Sequence, residues 1–230
     1  MADFPGVLVV WNDLSPENEE EYNEWYFVDH LPDRVGIPGF LTGRRYEVLG
    51  PGPRYFTWYL TASVGVMSSP AYLQRMQNPT EWTRRCMPFF KNMNRSACRQ
   101  TIDMGKGVGI ASTTMELKPA AGRQDELRRQ ISSSLFPDLL RSPGKNGIIR
   151  AHLWEADLAI TVQKNPEEAI RGEKDRVVEW VVVLEASSSP SAEKAARELG
   201  KYPFSAWGAE PVSPAYVYRL MHYFPGPDGR

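Results

Sequence analysis

The chain has 230 residues, 42% hydrophobic and 24% charged, with a formal net charge of -1. This is the balance of a globular domain able to remove roughly 70% of its unfolded surface from water. Near-neutral charge takes away the electrostatic reason to expect nucleic acid, and no apolar run approaches the roughly 20 residues that cross a bilayer.

The first residues, MADFPGVLVVWND, show neither a basic segment nor a small-residue cleavage site, so a cytoplasmic location is expected. Cys86 and Cys98 are the only cysteines. They make no disulfide framework and no zinc pattern, and read as reduced, buried thiols.

In chain order, Val7 to Trp11 is an apolar, β-branched run that suits a buried strand. A helix should follow, capped by Ser15, with Pro16 at its first position and acidic residues Glu17 and Glu19 to Glu21 at its positive end. Pro32 is expected to stop it. Phe40 to Val48 and Tyr55 to Ala62 read as a hairpin around Gly50-Pro51-Gly52-Pro53. Helical patterns over Pro70 to Met76 and Thr80 to Asn92, broken at Asn78-Pro79, lead to a fourth strand, Ala97 to Met104. The order β-α-β-β-α-β is ferredoxin-like.

The same order recurs: strand Gly109 to Leu117, helix Gln124 to Leu140, strands Ile148 to Ala156 and Val177 to Ala186, helix Ser191 to Leu199, strand Ala215 to Tyr223. Gly39-Phe40-Leu41 set against Gly147-Ile148-Ile149 brings Tyr46-Glu47 onto Trp154-Glu155 and Arg44 onto His152 without a gap. Arg54 and Trp58 share their spacing with Arg176 and Trp180. The predicted architecture is therefore α+β, with two tandem halves, residues 1–106 and 107–230, forming one intrachain barrel-type unit. A sheet with helices on one face needs cover on the other, and two such sheets can cover each other. An insertion over Leu158 to Lys174, with the polar string Gln163 to Glu168, reads as either a lid or a plain mobile loop.

Two sets of residues invite chemistry. On the first helix, Tyr22, Tyr26 and His30 are four apart and share a face. The helix C-terminus, with Asp29 and Asp33, is expected to favour a protonated imidazole and a general acid or base near neutral pH. On the strand Ile148 to Ala156, Arg150, His152 and Trp154 share one face and Ile149, Ala151 and Leu153 the other. The polar face should point toward the opposing sheet, into a cavity or a wet interface. Arg44 and Arg45 point oppositely, and the alignment with His152 selects Arg44 as the inward one, suited to a carboxylate, enolate or phenolate. The bland reading of Arg44 is an ion pair. Trp58 and Trp180 are expected in the core, with Trp58 also a candidate for a ligand wall. His222 reads as structural.

An aromatic pair, three residues and His-Leu-Pro, then a Pro-Gly-Phe turn and a strand, resembles the EthD-like family of the dimeric α/β barrel superfamily. The resemblance is specific over about residues 7–60 and architectural beyond. It implicates Trp25, Tyr26, His30, Pro32, Arg44, Arg45 and Tyr46. It implies a small-molecule enzyme or accessory protein of a catabolic or secondary pathway, often without metal or organic cofactor. The second half, around Leu135-Phe136-Pro137-Asp138, has no histidine, so one such site per chain is expected.

The leading expectation is thus cofactor-independent proton transfer, of isomerase, lyase or cyclase type, on an aromatic or oxo-acid substrate. His30 would move the proton, Tyr26 would orient it, and Arg44 would hold the anion. Trp25, Tyr46, Trp58, Arg150, His152 and Trp154 would contact substrate. Alternatives are a haem protein of chlorite-dismutase-like architecture, with His152 or His222 as axial ligand, and a non-catalytic binding module. No membrane partner is expected, and a homodimer remains open.

Overall fold

The computed structural model describes residues 4–163 and 166–227. Lys164 and Asn165 of the predicted insertion lie outside the described residues. The first half runs β1 (Gly6–Leu14), α1 (Glu19–Trp25), a π-helical turn (Tyr26–His30), α2 (Leu31–Val35), β2 (Phe40–Val48), β3 (Tyr55–Thr61), α3 (Pro70–Gln77), α4 (Glu81–Cys86) and β4 (Phe90–Gly105). The second runs β5 (Ala111–Pro119), α5 (Gln124–Gln130), a π-helical turn (Ile131–Leu135), α6 (Phe136–Leu140), α7 (Pro143–Asn146), β6 (Ile148–Ala156), α8 (Leu158–Thr161), α9 (Pro166–Arg171), β7 (Trp180–Ala186), α10 (Ser189–Leu199), β8 (Ala209–Pro211) and β9 (Tyr216–Pro225).

Each half has its sheet in ferredoxin order, β4-β1-β3-β2 and β9-β5-β7-β6, and the sheets join edge to edge through β4–β6 and β2–β9. Eight antiparallel strands thereby close a barrel, with the short β8 appended to β5. Closure leaves no open edge among those eight. It also replaces the expected pair of facing sheets by a continuous wall.

The pairing of β2 with β6 in sequence extends to burial. Both strands show the same succession of buried and half-buried positions, and both shift register near their first residues. Arg44, Tyr46, His152 and Trp154 consequently face the barrel interior, while Ala151 and Leu153 lie under the helices of their half. The interior is occupied by side chains: Val7, Val9, Trp11, Tyr46, Phe56, Trp58, Trp154, Val181, Val183 and Tyr218 fill its middle. The Trp58 and Trp180 spacing does not survive. Trp58 is inside the barrel, whereas Trp180 joins the helix-side core, because it pairs with the outward-facing Leu117.

Pro32 does not stop the first helix. A proline removes one N–H and its ring crowds the carbonyl four residues earlier, so the preceding turn widens instead, with the Leu31 N–H donating to the Tyr26 carbonyl. The second half repeats this solution before Pro137, where the Phe136 N–H donates to the Ile131 carbonyl. Ser15 makes no side-chain cap, since a short 3-10 turn, Pro16–Asn18, precedes α1. The helix predicted to Asn92 ends at Cys86, and β4 begins at Phe90 opposite Leu14. Pairing with the buried β1 outweighs the local helical pattern there.

At the turn joining the halves, Gly105 has φ 93, and an added Cβ would sit 2.2 Å from the Ile149 carbonyl oxygen. Gly105→Ala is expected to lower unfolding free energy by about 2 kcal/mol or more, measured by urea denaturation, from combined backbone strain and overlap. A loss under about 0.5 kcal/mol would show that the turn relaxes freely.

Candidate functional site

The two predicted sets of residues lie on opposite sides of one sheet. Trp25, Tyr26 and His30 project from the first helix onto the outer face of the first-half sheet, within its helix-side core. Arg44, Tyr46, Trp58, Arg150, His152 and Trp154 belong to strands β2, β3 and β6 on the barrel side. His30, Tyr26 and Arg44 therefore do not form one constellation. The arginine beside Tyr26 is Arg45, fully buried, with its guanidinium 4.3 Å over the Tyr26 ring and 4.2 Å over Tyr55. It donates to Asn23 at 2.6 Å.

Around His30 the sheet and helices leave a small chamber of about 20 Å³, lined by Tyr26, His30, Arg34, Tyr59, Tyr72 and Arg95, with Met76, Met87 and Met93 as its apolar wall. The space holds about one water as it stands. Methionine walls are adaptable, since the unbranched thioether repacks at little cost.

His30 is 7% exposed, and its Nδ1 has no hydrogen-bond partner among the described residues. Its ring stacks obliquely on Trp25, centroids 4.4 Å apart. Burial, and after it the charges of Arg34 and Arg45, hold its pKa well below the usual value. The expected protonated imidazole is thus corrected to a neutral one: the helix does not end there, and the nearest strong charges are cations. Tyr59, whose hydroxyl has no partner within hydrogen-bond geometry among the described residues, is pushed well above the ordinary phenol range by burial and by the neighbouring Tyr26. It remains a donor at neutral pH. Arg95 donates to the Tyr72 hydroxyl at 2.5 Å.

One residue of the insertion, Glu167, lines this chamber. Glu167 on α9 pairs with Arg34, both nearly fully buried. Ile160 and Ile170 pack on the first-half core. Thr161 accepts the Ala97 N–H at 3.0 Å. Sequence reasoning missed Tyr59, Tyr72, Arg95 and Glu167. Alternation along β3 offered a signal, because Tyr55, Thr57 and Tyr59 share the face opposite Phe56 and Trp58.

On the barrel side a chain of ionic contacts closes one end. Glu185 accepts from Arg44 Nη1 at 2.6 Å and from the Gly109 N–H at 2.7 Å, and lies 2.8 Å from His152 Nε2. Asp103 lies 3.3 Å from His152 Nδ1, not aligned as a hydrogen bond, and accepts two bonds from Arg150 at 2.8 and 2.6 Å. Burial raises both carboxyls, but the hydrogen bonds and charges of their partners win and hold Asp103 and Glu185 below the usual carboxylate range. Arg44 also lies 4.4 Å over Trp58. Trp154 donates to Gln100 at 3.2 Å. Burial takes the Tyr46 hydroxyl up to about 12. His222 stacks on Phe27 outside the barrel, centroids 4.6 Å apart.

The chain matches no family profile and no curated protein. Solved structures share its fold. An anthrone oxidase-like protein superposes with a TM-score of 0.61 at 12% identity, over 99% of this chain and 95% of that one. A candidate monooxygenase from Fusobacterium nucleatum gives 0.60 at 10%, over 98% and 96%. A haem-binding protein from Thermus thermophilus gives 0.50 at 13%, over 96% and 92%. The chain is thus an α+β protein with a dimeric α/β barrel-type fold. No helix among the described residues is long and apolar enough to cross a membrane.

Proposed function

We propose that this chain is a small-molecule enzyme of proton-transfer type, acting in the His30 chamber, with α8 and α9 as the cover that admits substrate. The observation that carries the reading is the buried, neutral His30 whose Nδ1 is unpartnered among the described residues, in a chamber that also holds the Tyr59 hydroxyl and the Arg95 guanidinium. A neutral imidazole takes a proton from carbon or oxygen. The Tyr59 hydroxyl donates to the oxygen on which charge develops, and Arg95 holds an anionic substrate group, the part first given to Arg44. Aromatic and oxo-acid substrates suit these groups.

Fold alone relates the chain to a haem-binding protein. A macrocycle held by one of the three histidines needs that ring to face a space of roughly 300 Å³ or more. His30 faces about 20 Å³, His152 is taken up by Glu185 and Asp103, and His222 stacks on Phe27. None of the three histidines as arranged fits the group. A binding module without turnover is the second reading, favoured by the small size of the chamber.

The test uses a panel of enolisable aromatic ketones and 2-oxo acids in D₂O, followed by proton NMR for exchange of carbon-bound hydrogen. Exchange catalysed by the wild type and lost in His30→Gln supports the reading. Equal exchange in both, or none with any panel member, removes it. The cover has its own check. Glu167→Ala is expected to speed amide exchange across α8 and α9 about tenfold or more while leaving β6 and β7 unchanged, because it leaves Arg34 without the Glu167 carboxylate. Unchanged exchange would mean that the cover does not depend on that pair.

A further inference from the structure

The barrel end opposite the Glu185 network carries a second recess that plays no part in the His30 chamber. It is a cleft of about 330 Å³, within the usual range for small ligands. Its floor is made by Trp11, Asn94 and Glu116, which are 1%, 2% and 6% exposed. Tyr216, Pro53 and Val212 are on its wall and rim, and Arg176 reaches it from outside.

The polar groups of this floor point to one kind of ligand. Glu116 Oε1 accepts from Asn94 Nδ2 at 3.2 Å, whereas among the described residues Oε2 has only Arg176, 3.7 Å away with a side chain 65% exposed. The amide oxygen of Asn94 has no partner among the described residues. Asp13 adds a carboxylate at the edge, held by the Arg54 N–H and by Asn92 Nδ2, each at 2.8 Å. Of the floor groups left short of partners among the described residues, Asn94 Oδ1 and Glu116 Oε2 are acceptors and the Trp11 indole N–H is a donor, so the charged acceptor, Glu116, selects the head group of the ligand. An indole and a phenol ring stand beside them, the arrangement that attracts organic cations. Desolvation raises the Glu116 carboxyl, so a cation brought beside it would offset a cost the fold already carries.

Local backbone sets this geometry. The β1–β4 register shifts between Trp11 and Asp13, and Asn92 at that shift has φ 51, the one described non-glycine residue with positive φ. Bulges at barrel rims re-aim side chains, and strained positions concentrate at functional sites.

We propose that this mouth binds a small organic ammonium ion with a flat or aromatic body, the ammonium on Glu116 and Asn94 and the body against Trp11 and Tyr216. Calorimetric titration of the full chain with 2-phenylethylamine, 2-phenylethanol and phenylacetate tests it, since the three differ only in head group. The amine is expected to bind at least tenfold more tightly than the alcohol, with phenylacetate weakest. Glu116→Gln, which keeps shape, should bring the amine down to the alcohol's affinity. Arg176→Ala, at an exposed side chain, should tighten amine binding by removing a competing cation.

Equal affinity for amine and alcohol, undiminished amine binding by Glu116→Gln, or no binding of any probe by the wild type at millimolar concentration would overturn the assignment. A thermal melt of each variant reports folding, and should Glu116→Gln not fold, the Arg176→Ala result decides: unchanged or weaker amine binding then overturns it. The amine titration is independent of His30, so its outcome stands apart from that of the proton-transfer reading.

Discussion

Arg44→Met is expected to lower unfolding free energy by roughly 3 kcal/mol or more, the usual cost of breaking a buried ion pair by removing one partner. Glu185 is fully buried, and without Arg44 it keeps, among the described residues, only the Gly109 N–H and His152 to offset its charge. The companion variant Arg44→Met/Glu185→Leu should be less destabilised than the sum of the single changes, because members of one network couple by about 0.5–3 kcal/mol. Urea denaturation of the four proteins measures the coupling. Additive losses would show that the pair contributes nothing jointly.

The pH dependence follows from the direction of the carboxyl shifts. Glu185 and Asp103 are held below their ordinary values of 4.5 and 3.8, so the unfolded chain binds more protons in the acid range. Their contribution is complete above about pH 4.5 and fades as pH falls toward the folded-state pKa values. The penalty of Arg44→Met should accordingly shrink in acid. A penalty that grows there would contradict the assigned charges.

His30→Ala is expected to reduce turnover about 100-fold or more on a substrate of the chamber, the usual size of an acid-base loss. The low pKa of His30 gives this prediction a second arm. The folded protein keeps the imidazole neutral while the unfolded chain protonates it near pH 6.5, so the associated stability is present above 6.5 and is lost progressively below it. Activity should hold a plateau through neutrality, with its acid limb displaced below 6.5. An acid limb at or above 6.5 in the wild type would mean that another group carries the proton. Retained turnover in His30→Ala with a normal melt would end the assignment.

Much of the fold was legible. Alternation along Ile148 to Ala156 and the gapless match to Phe40 to Val48 placed Arg44, Tyr46, His152 and Trp154 on one inward face, where they are found. Side-chain direction in a strand has period two, so it follows from sequence once the strand is recognised. The site was less legible. His30, Tyr26 and Arg44 were grouped by function, although a sheet separates the helix that bears two of them from the inward face of the third. The charge state of His30 was misread for a related reason. A helix-end argument is local, whereas its titration is governed by burial and by Arg34 and Arg45.

By itself the sequence determined the order of the eight barrel strands and the faces of β2 and β6, because hydrophobic periodicity and turn residues act within a few positions. Only the tertiary structure decided that the sheets close into one barrel with an interior occupied by side chains, that Glu167 of the second half lines the chamber of the first, and that Glu185 meets Arg44. Those outcomes join residues far apart in the chain, such as Arg34 with Glu167 and Asn94 with Glu116. They depend on packing and desolvation summed over the whole molecule, which no local pattern encodes.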